Sequence, residues 1–423
     1  MKVAPLFHSP HRLLVGDAPL VGVLDLPSSA SNHERPPIRL FFPATTVSPT
    51  PRRRVKQARY FVNNRVSYVL QGFAHIALAR HTTKLYRFIV RPLMWMVSLF
   101  FPVRFLKIPD TALVTTKNDD SPVRYAPLNN SNKTKSQSLI MFSHGLTGTG
   151  EENALFCTAL AKRGYVVACI HHRDGSSSRV PMPDGTCKFY EHLPNGDDYS
   201  PNHRLEQVSF RAKEFLYATK WLLGEEQGGD DYDHPILQQI RPKLDEKKVI
   251  ASGFSYGSTT CSLAATADPK RFQCAIFLDG WFHIDYSSKG YVYNFPPEAF
   301  GEDWPNGANN GNERSHVIEN KDGLTIPSIF INSAKFAGFP KMYAATTKLA
   351  NSINTYNKHD STIPESTLHV IPNTQHQNFC DVGFWLPKVL LRRLGKFIDL
   401  GDADVLEAAD NILDLTFKFL KQF

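Results

Sequence analysis

From residue 138 onward the chain alternates short apolar runs with longer stretches of mixed polarity. Leu139-Ile140-Met141-Phe142, Tyr165 to Ile170, Val249-Ile250-Ala251-Ser252, Cys274-Ala275-Ile276-Phe277-Leu278 and Ser328-Ile329-Phe330-Ile331 are four-to-six-residue runs of the kind that form buried strands. Between them, Glu151 to Arg163, Leu205 to Leu223 and Ser258 to Ala267 read as helices, and Gly164 reads as a helix stop. This alternation predicts an α/β fold: a mostly parallel central sheet with helices on both faces. Functional groups in such folds collect at the carboxyl ends of the strands.

Before residue 138 the pattern is less regular. Residues 1 to about 60 mix prolines with strand-like pieces such as Ile38 to Phe42 and with the basic run Pro51-Arg52-Arg53-Arg54. Tyr60 to Leu106 reads as helical and basic, and Leu93 to Phe101 is its most apolar part, interrupted only by Ser98. That part is about half the roughly 20 residues that a spanning helix needs. Pro92 and Pro102 bracket it, and Arg87, Arg91, Arg104 and Lys107 flank it. An interfacial segment fits this composition better than a transmembrane one, with Leu93, Trp95, Phe100 and Phe101 as the membrane-facing residues; packing into the core is the alternative.

Composition narrows the classes. The chain has 423 residues, 42% apolar and 21% charged, which excludes a disordered or collagen-like chain. No repeat is visible, so solenoids and propellers drop out. A surplus of 48 basic over 40 acidic side chains gives +8. The one short arginine run has no interleaved aromatics, so nucleic acid is not expected as a partner. Six cysteines stand without a C-x-x-C pair, so no zinc site or other cofactor is expected and reduced thiols are the default. The N-terminus lacks the apolar core of a secretory signal and Lys2 excludes myristoylation, so a cytoplasmic protein, monomeric and at most peripheral on membranes, is the expectation.

The chemistry concentrates around Gly253-Phe254-Ser255-Tyr256-Gly257, which lies between a strand and a helix. Glycines two residues to either side of Ser255 permit the tight turn that lifts a serine hydroxyl above a sheet. A serine nucleophile needs a base and an orienting carboxylate, here in the order Ser, Asp, His. Asp279 at the end of the run Cys274 to Leu278 and His376 after Leu368-His369-Val370-Ile371 occupy strand ends; Asp285 and Asp381 rival the first, His359 and His369 the second. Acyl transfer also requires hydrogen-bond donors for the developing oxyanion. The backbone N–H of Tyr256 and that of Leu146, in His144-Gly145-Leu146-Thr147-Gly148, are the candidates, with the His144 ring bracing its loop. His171-His172-Arg173-Asp174 gives little support to a metal site, because adjacent residues at a strand end point in opposite directions.

Six blocks in register resemble the plasma and type II platelet-activating factor acetylhydrolases: Phe142-Ser143-His144-Gly145-Leu146, Ile170-His171-His172-Arg173-Asp174, the turn at Ser255, Leu278-Asp279-Gly280-Trp281, Phe330-Ile331-Asn332-Ser333 and His376-Gln377-Asn378-Phe379. Leu14-Val15-Gly16 and Arg39 to Pro43 look like that family's first strands. The resemblance implies an α/β-hydrolase fold and calcium-independent hydrolysis of short or oxidised sn-2 acyl groups of phospholipids. It implies Ser255 as nucleophile, Asp279 as acid, His376 as base, and Leu146 and Tyr256 as oxyanion donors. Ser258 and Thr259 depart from the family's usual residues after the turn. The resemblance also implies a second lipid-facing segment, Phe384-Trp385 through Arg393, for which core packing is again the alternative. One domain over 1–423 is expected, with 60–107 a helical elaboration and 384–423 C-terminal helices. A general carboxylesterase or lysophospholipase with the same triad, and a non-catalytic lipid-binding module, are the competing readings.

Overall fold

The computed structural model describes residues 7–28, 35–46, 56–62, 66–78, 88–89, 92–93, 95–96, 107–114, 123–126, 137–192, 201–228, 232–282 and 323–423. Its strands are β1 (Leu20–Leu26), β2 (Ile38–Thr46), β3 (Thr111–Val114), β4 (Val123–Tyr125), β5 (Gln137–Ser143), β6 (Val166–Ile170), β7 (Arg179–Pro181), β8 (Cys187–Phe189), β9 (Leu244–Phe254), β10 (Phe272–Leu278), β11 (Ser328–Ser333) and β12 (Thr367–Ile371). The main helices are α1 (Val66–Leu78), α2 (Ala154–Lys162), α3 (Pro201–Leu223), α4 (Tyr256–Ala267), α5 (Pro340–Asn357) and α6 (Val405–Leu420).

Ten strands form one sheet in the order β12-β11-β10-β9-β5-β6-β2-β1-β3, with β4 added to β2. From β6 to β12 all neighbours are parallel, whereas β2 runs antiparallel to both β6 and β1. The continuous apolar runs are explained by two-sided burial. In β5, Leu139 and Met141 join the apolar cluster on one face while Ile140 and Phe142 join that on the other; Val249 and Ala251 against Ile250 do the same in β9. Helices α3 and α4 cover the first face through Phe215, Trp221 and Leu263. Helices α2 and α6 cover the second through Leu155, Leu160, Ile412 and Phe417.

Local signals behave as the residue types require. Gly164 follows α2 with φ 101°, the left-handed stop expected of it. The Asp404 side chain accepts hydrogen bonds from the Leu406 and Glu407 N–H groups and caps α6. The first strand, however, is Leu20–Leu26 and not Leu14-Val15-Gly16. The latter segment follows a single turn of 3-10 helix, and Gly16 lies so close to α2 that a Cβ there would sit 2.3 Å from the Lys162 carbonyl oxygen. Of the 60–107 stretch, α1 is helical, as its pattern predicts.

Candidate active site

Ser255 stands between the last residue of β9 and the first of α4, with φ 55° and ψ −122°. This backbone conformation costs a non-glycine residue on the order of 1–3 kcal/mol. Three hydrogen bonds hold it: the Ser255 N–H donates to Leu278 O at 2.9 Å, and the Ser255 carbonyl accepts from Ser258 N at 3.0 Å and Trp281 N at 3.1 Å. The flanking glycines are required by contact. A Cβ on Gly257 would lie 2.0 Å from the Ser143 carbonyl oxygen, and one on Gly253 would lie 2.4 Å from the Gly257 carbonyl.

Asp279 closes β10 in the left-handed region, φ 44°, its N–H donating to Ile331 O at 2.7 Å. Its fully buried carboxylate accepts from the Ser333 N–H at 2.7 Å and the Ser333 hydroxyl at 3.0 Å. The same Oδ2 accepts from His376 Nδ1 at 2.6 Å. Because Nδ1 thereby carries the proton, Nε2 offers its lone pair to the Ser255 hydroxyl, 2.9 Å away. The imidazole stacks on Phe254 at 4.7 Å between ring centroids. Burial pulls the His376 pKa down, but the hydrogen bond and charge of Asp279, with the charges of Asp399 and Glu152, outweigh it and raise the value above 6.5.

The rival residues lie elsewhere. Asp381 faces α2, its Oδ2 accepting from Leu155 N at 2.8 Å, and burial pushes its carboxyl far above the ordinary range. His359 is exposed in the turn after α5, His369 lies within β12, and Asp285 is outside the described residues.

The loop after β5 passes beside the serine: a Cβ on Gly145 would lie 3.3 Å from Ser255 Cβ. The Leu146 N–H donates to no acceptor among the described residues. His144 is fully enclosed, donating from Nδ1 to the Gly145 carbonyl at 2.8 Å, which makes Nε2 an acceptor for the His172 N–H at 3.3 Å. Burial, then the charge of Arg211, hold His144 neutral, its pKa well below 6.5. His172 lies between the Ser143 hydroxyl and Glu214, whereas His171 points toward Gly150 and Glu151. The two histidines thus diverge, and among the described residues no cluster of ligating side chains could hold a metal. At the other candidate donor, the Tyr256 hydroxyl donates to the Arg204 carbonyl and so anchors α4 against α3.

Three functional neighbours escaped the sequence reading. Ser333 donates its N–H and hydroxyl to Asp279. Glu152 accepts from the Gly145 N–H at 2.6 Å, and burial raises its carboxyl pKa to about 7. Arg211, in the middle of α3, donates to the His144 carbonyl at 2.8 Å.

The two apolar segments have different fates. Phe88, Ile89, Leu93, Trp95 and Met96 are exposed, Trp95 at 56% and Phe88 at 81%; Phe100 and Phe101 lie outside the described residues. Phe384 and Trp385 are not surface residues: at 4% and 6% exposure they are core, with Trp385 edge-on to Phe61 at 5.0 Å and to Tyr60 at 6.3 Å. Their expected membrane contact is therefore corrected to packing beneath residues 60–61. No helix among the described residues is long and apolar enough to cross a membrane.

Residues 112–288 match the family described as platelet-activating factor acetylhydrolase, isoform II. The platelet-activating factor acetylhydrolase of Canis lupus familiaris is 27% identical over 333 residues, covering 74% of this chain and 61% of that protein. That of Cavia porcellus is 26% identical, covering 67% and 57%. The chain thus spans about three fifths of these relatives' lengths. A putative phospholipase A2 of Schizosaccharomyces pombe is 22% identical, covering 67% of each chain. Among solved structures, a ferulic acid esterase from Streptomyces cinnamoneus superposes with TM-score 0.54 and 15% identity, over 96% of this chain and 90% of that one, which establishes the shared fold. In sequence, the chain is similar to the platelet-activating factor acetylhydrolases over residues 112–288 and to individual members at about a quarter identity; in fold, it is similar to the ferulic acid esterase.

Proposed function

We propose that the protein is a calcium-independent serine esterase that hydrolyses the sn-2 acetyl or short or oxidised acyl ester of platelet-activating factor-like phospholipids. One observation carries the reading: the unbroken hydrogen-bond chain from Asp279 through His376 to Ser255, at 2.6 and 2.9 Å, beside a loop with an uncommitted N–H. His376 Nε2 takes the Ser255 proton as Oγ attacks the ester carbonyl, and Asp279 stabilises the resulting imidazolium. The Leu146 and Tyr256 N–H groups receive the oxyanion. His376 then protonates the departing lysophospholipid, and water activated by the same nitrogen hydrolyses the acyl-enzyme. The exposed apolar cluster around Trp95 brings the enzyme to a lipid surface by peripheral contact.

Hydrolysis of sn-2 acetyl and sn-2 long-chain phosphatidylcholines, each with a calcium chelator present, tests the substrate class. Selective turnover of the acetyl substrate that vanishes in Ser255→Ala supports it; equal turnover of both chain lengths points instead to a general esterase or lysophospholipase. Full activity in folded Ser255→Ala defeats the mechanism. For the lipid surface, Trp95→Asp combined with Phe100→Asp is expected to abolish liposome sedimentation.

A further inference from the structure

We propose that Arg211 is the positioning residue of the oxyanion hole, orienting the peptide groups on both sides of Gly145 so that the Leu146 N–H is presented to the substrate oxygen. The inference rests on the serine-esterase reading above and deepens it.

In a trans peptide the C=O and the N–H point in opposite directions, so fixing one fixes the other. The Gly145 carbonyl belongs to the same peptide group as the Leu146 N–H. It accepts from His144 Nδ1 at 2.8 Å and from Arg211 Nη2 at 3.3 Å, both deep in the protein. The Leu146 N–H is thereby turned the other way, toward the side where no described residue accepts it. The preceding peptide is held at both ends: Arg211 Nη1 donates to its carbonyl, that of His144, at 2.8 Å, and Glu152 accepts from its N–H at 2.6 Å. A loop containing two glycines has little backbone stiffness of its own, and these contacts replace it.

Arg211 touches the second donor as well. Its guanidinium lies over the Tyr256 ring, 4.9 Å from the centroid, so one planar group spans the Leu146 peptide and the residue that opens α4. The remaining nitrogen contacts hold the guanidinium still. Nε donates to Asp174 Oδ2 at 3.1 Å and to the Ser176 hydroxyl at 2.9 Å, and Nη2 donates to Ser176 at 2.6 Å. Arg211 is completely buried, and a rigid fork with five donors suits this task as a lysine ammonium would not.

The test uses the whole chain, p-nitrophenyl acetate as substrate and an alkyl trifluoromethyl ketone as probe. That ketone adds the Ser255 oxygen to its carbonyl carbon, passes the serine proton to His376 and leaves an oxyanion in the hole. Arg211→Met is expected to lower kcat roughly 10- to 100-fold, a part of the 10²–10³ lost when an oxyanion donor is removed, with KM within about twofold. Ketone affinity should fall by the same factor as kcat/KM. Arg211→Lys, which keeps the buried charge and carries the test if the Met variant does not fold, is expected to lose several-fold in both. Unchanged kcat, or a kcat loss without a matching loss of ketone affinity, overturns the proposal. An unmodified protein that hydrolyses the acetate but not the phospholipid removes the substrate assignment alone. One in which Ser255 reacts with neither ester nor ketone removes the esterase reading and this inference with it.

Discussion

In the proposed mechanism, Ser255 divides its surroundings into a side where side chains do the chemistry and a side where backbone does. Toward β10 and β12, the proposed acid and base are the side chains of Asp279 and His376, and the Ser333 N–H and hydroxyl donate to the carboxylate. Toward β5, the proposed oxyanion donor is a peptide N–H with no side chain of its own, and the peptide groups around it are held by Arg211, Glu152 and His144. The electrostatics differ in the same sense. His376 gains proton affinity from its carboxylate, whereas burial and the Arg211 charge strip it from His144 and His172. Three neighbouring histidines therefore differ in proton affinity: His376, the proposed base, gains it, whereas His144 and His172 are held toward the neutral form.

Three substitutions probe this contrast. The largest effect belongs to the side-chain face: Asp279→Asn should lower kcat by about 10⁴ with little change in KM, because the amide no longer holds His376 in its Nδ1–H tautomer; steady-state kinetics decide. An effect on stability belongs to the backbone face. A carboxyl whose pKa is raised by folding from 4.5 to about 7, as in Glu152, favours the folded state while protonated and loses that advantage as pH rises through 7. Glutamine does not titrate, so Glu152→Gln should gain on the order of 3 kcal/mol relative to the unmodified chain between pH 4 and pH 8. Denaturant titrations at both pH values measure it, and a gap independent of pH contradicts it. Smallest is Ser333→Ala, which removes one donor from Asp279 Oδ2. With that donor gone, Oδ2 is freer to accept from His376 Nδ1, the His376 pKa rises further, and the acid limb of kcat/KM moves to higher pH while kcat stays within about tenfold.

How much of this could be read from the chain follows the same division. The strand-end rule and the order Ser, Asp, His led to residues that the fold brings within hydrogen-bond distance, because a reacting side chain announces itself by its type and its place. Arg211 gave no such signal. In Leu205-Glu206-Gln207-Val208-Ser209-Phe210-Arg211-Ala212-Lys213 it looks like one more charge on a solvated helix face, and its burial depends on a loop 66 to 67 residues earlier. Glu152 was hidden for the same reason. The apolar segments mark another limit: Leu93-Met94-Trp95 and Phe384-Trp385-Leu386 carry similar patterns with basic flanks, yet Trp95 is exposed and Trp385 is enclosed by Tyr60 and Phe61. Hydrophobicity fixes what a segment avoids, not which partner covers it. Strand β1, Leu20–Leu26, interrupted by Gly22 and Asp25 and bounded by Pro19 and Pro27, pairs with β2 along seven residues.

The distance of 121 residues between Ser255 and the imidazole that activates it has a bearing on biosynthesis. At about 5–20 residues per second, a ribosome adds His376 roughly 6 to 24 s after the serine. During that interval the nascent polypeptide holds the proposed nucleophile without its proposed base, so the growing chain lacks the means to attack an ester. In the proposed mechanism, activity begins only when β12 has been laid on the sheet edge, so hydrolysis would itself report that translation has passed this strand.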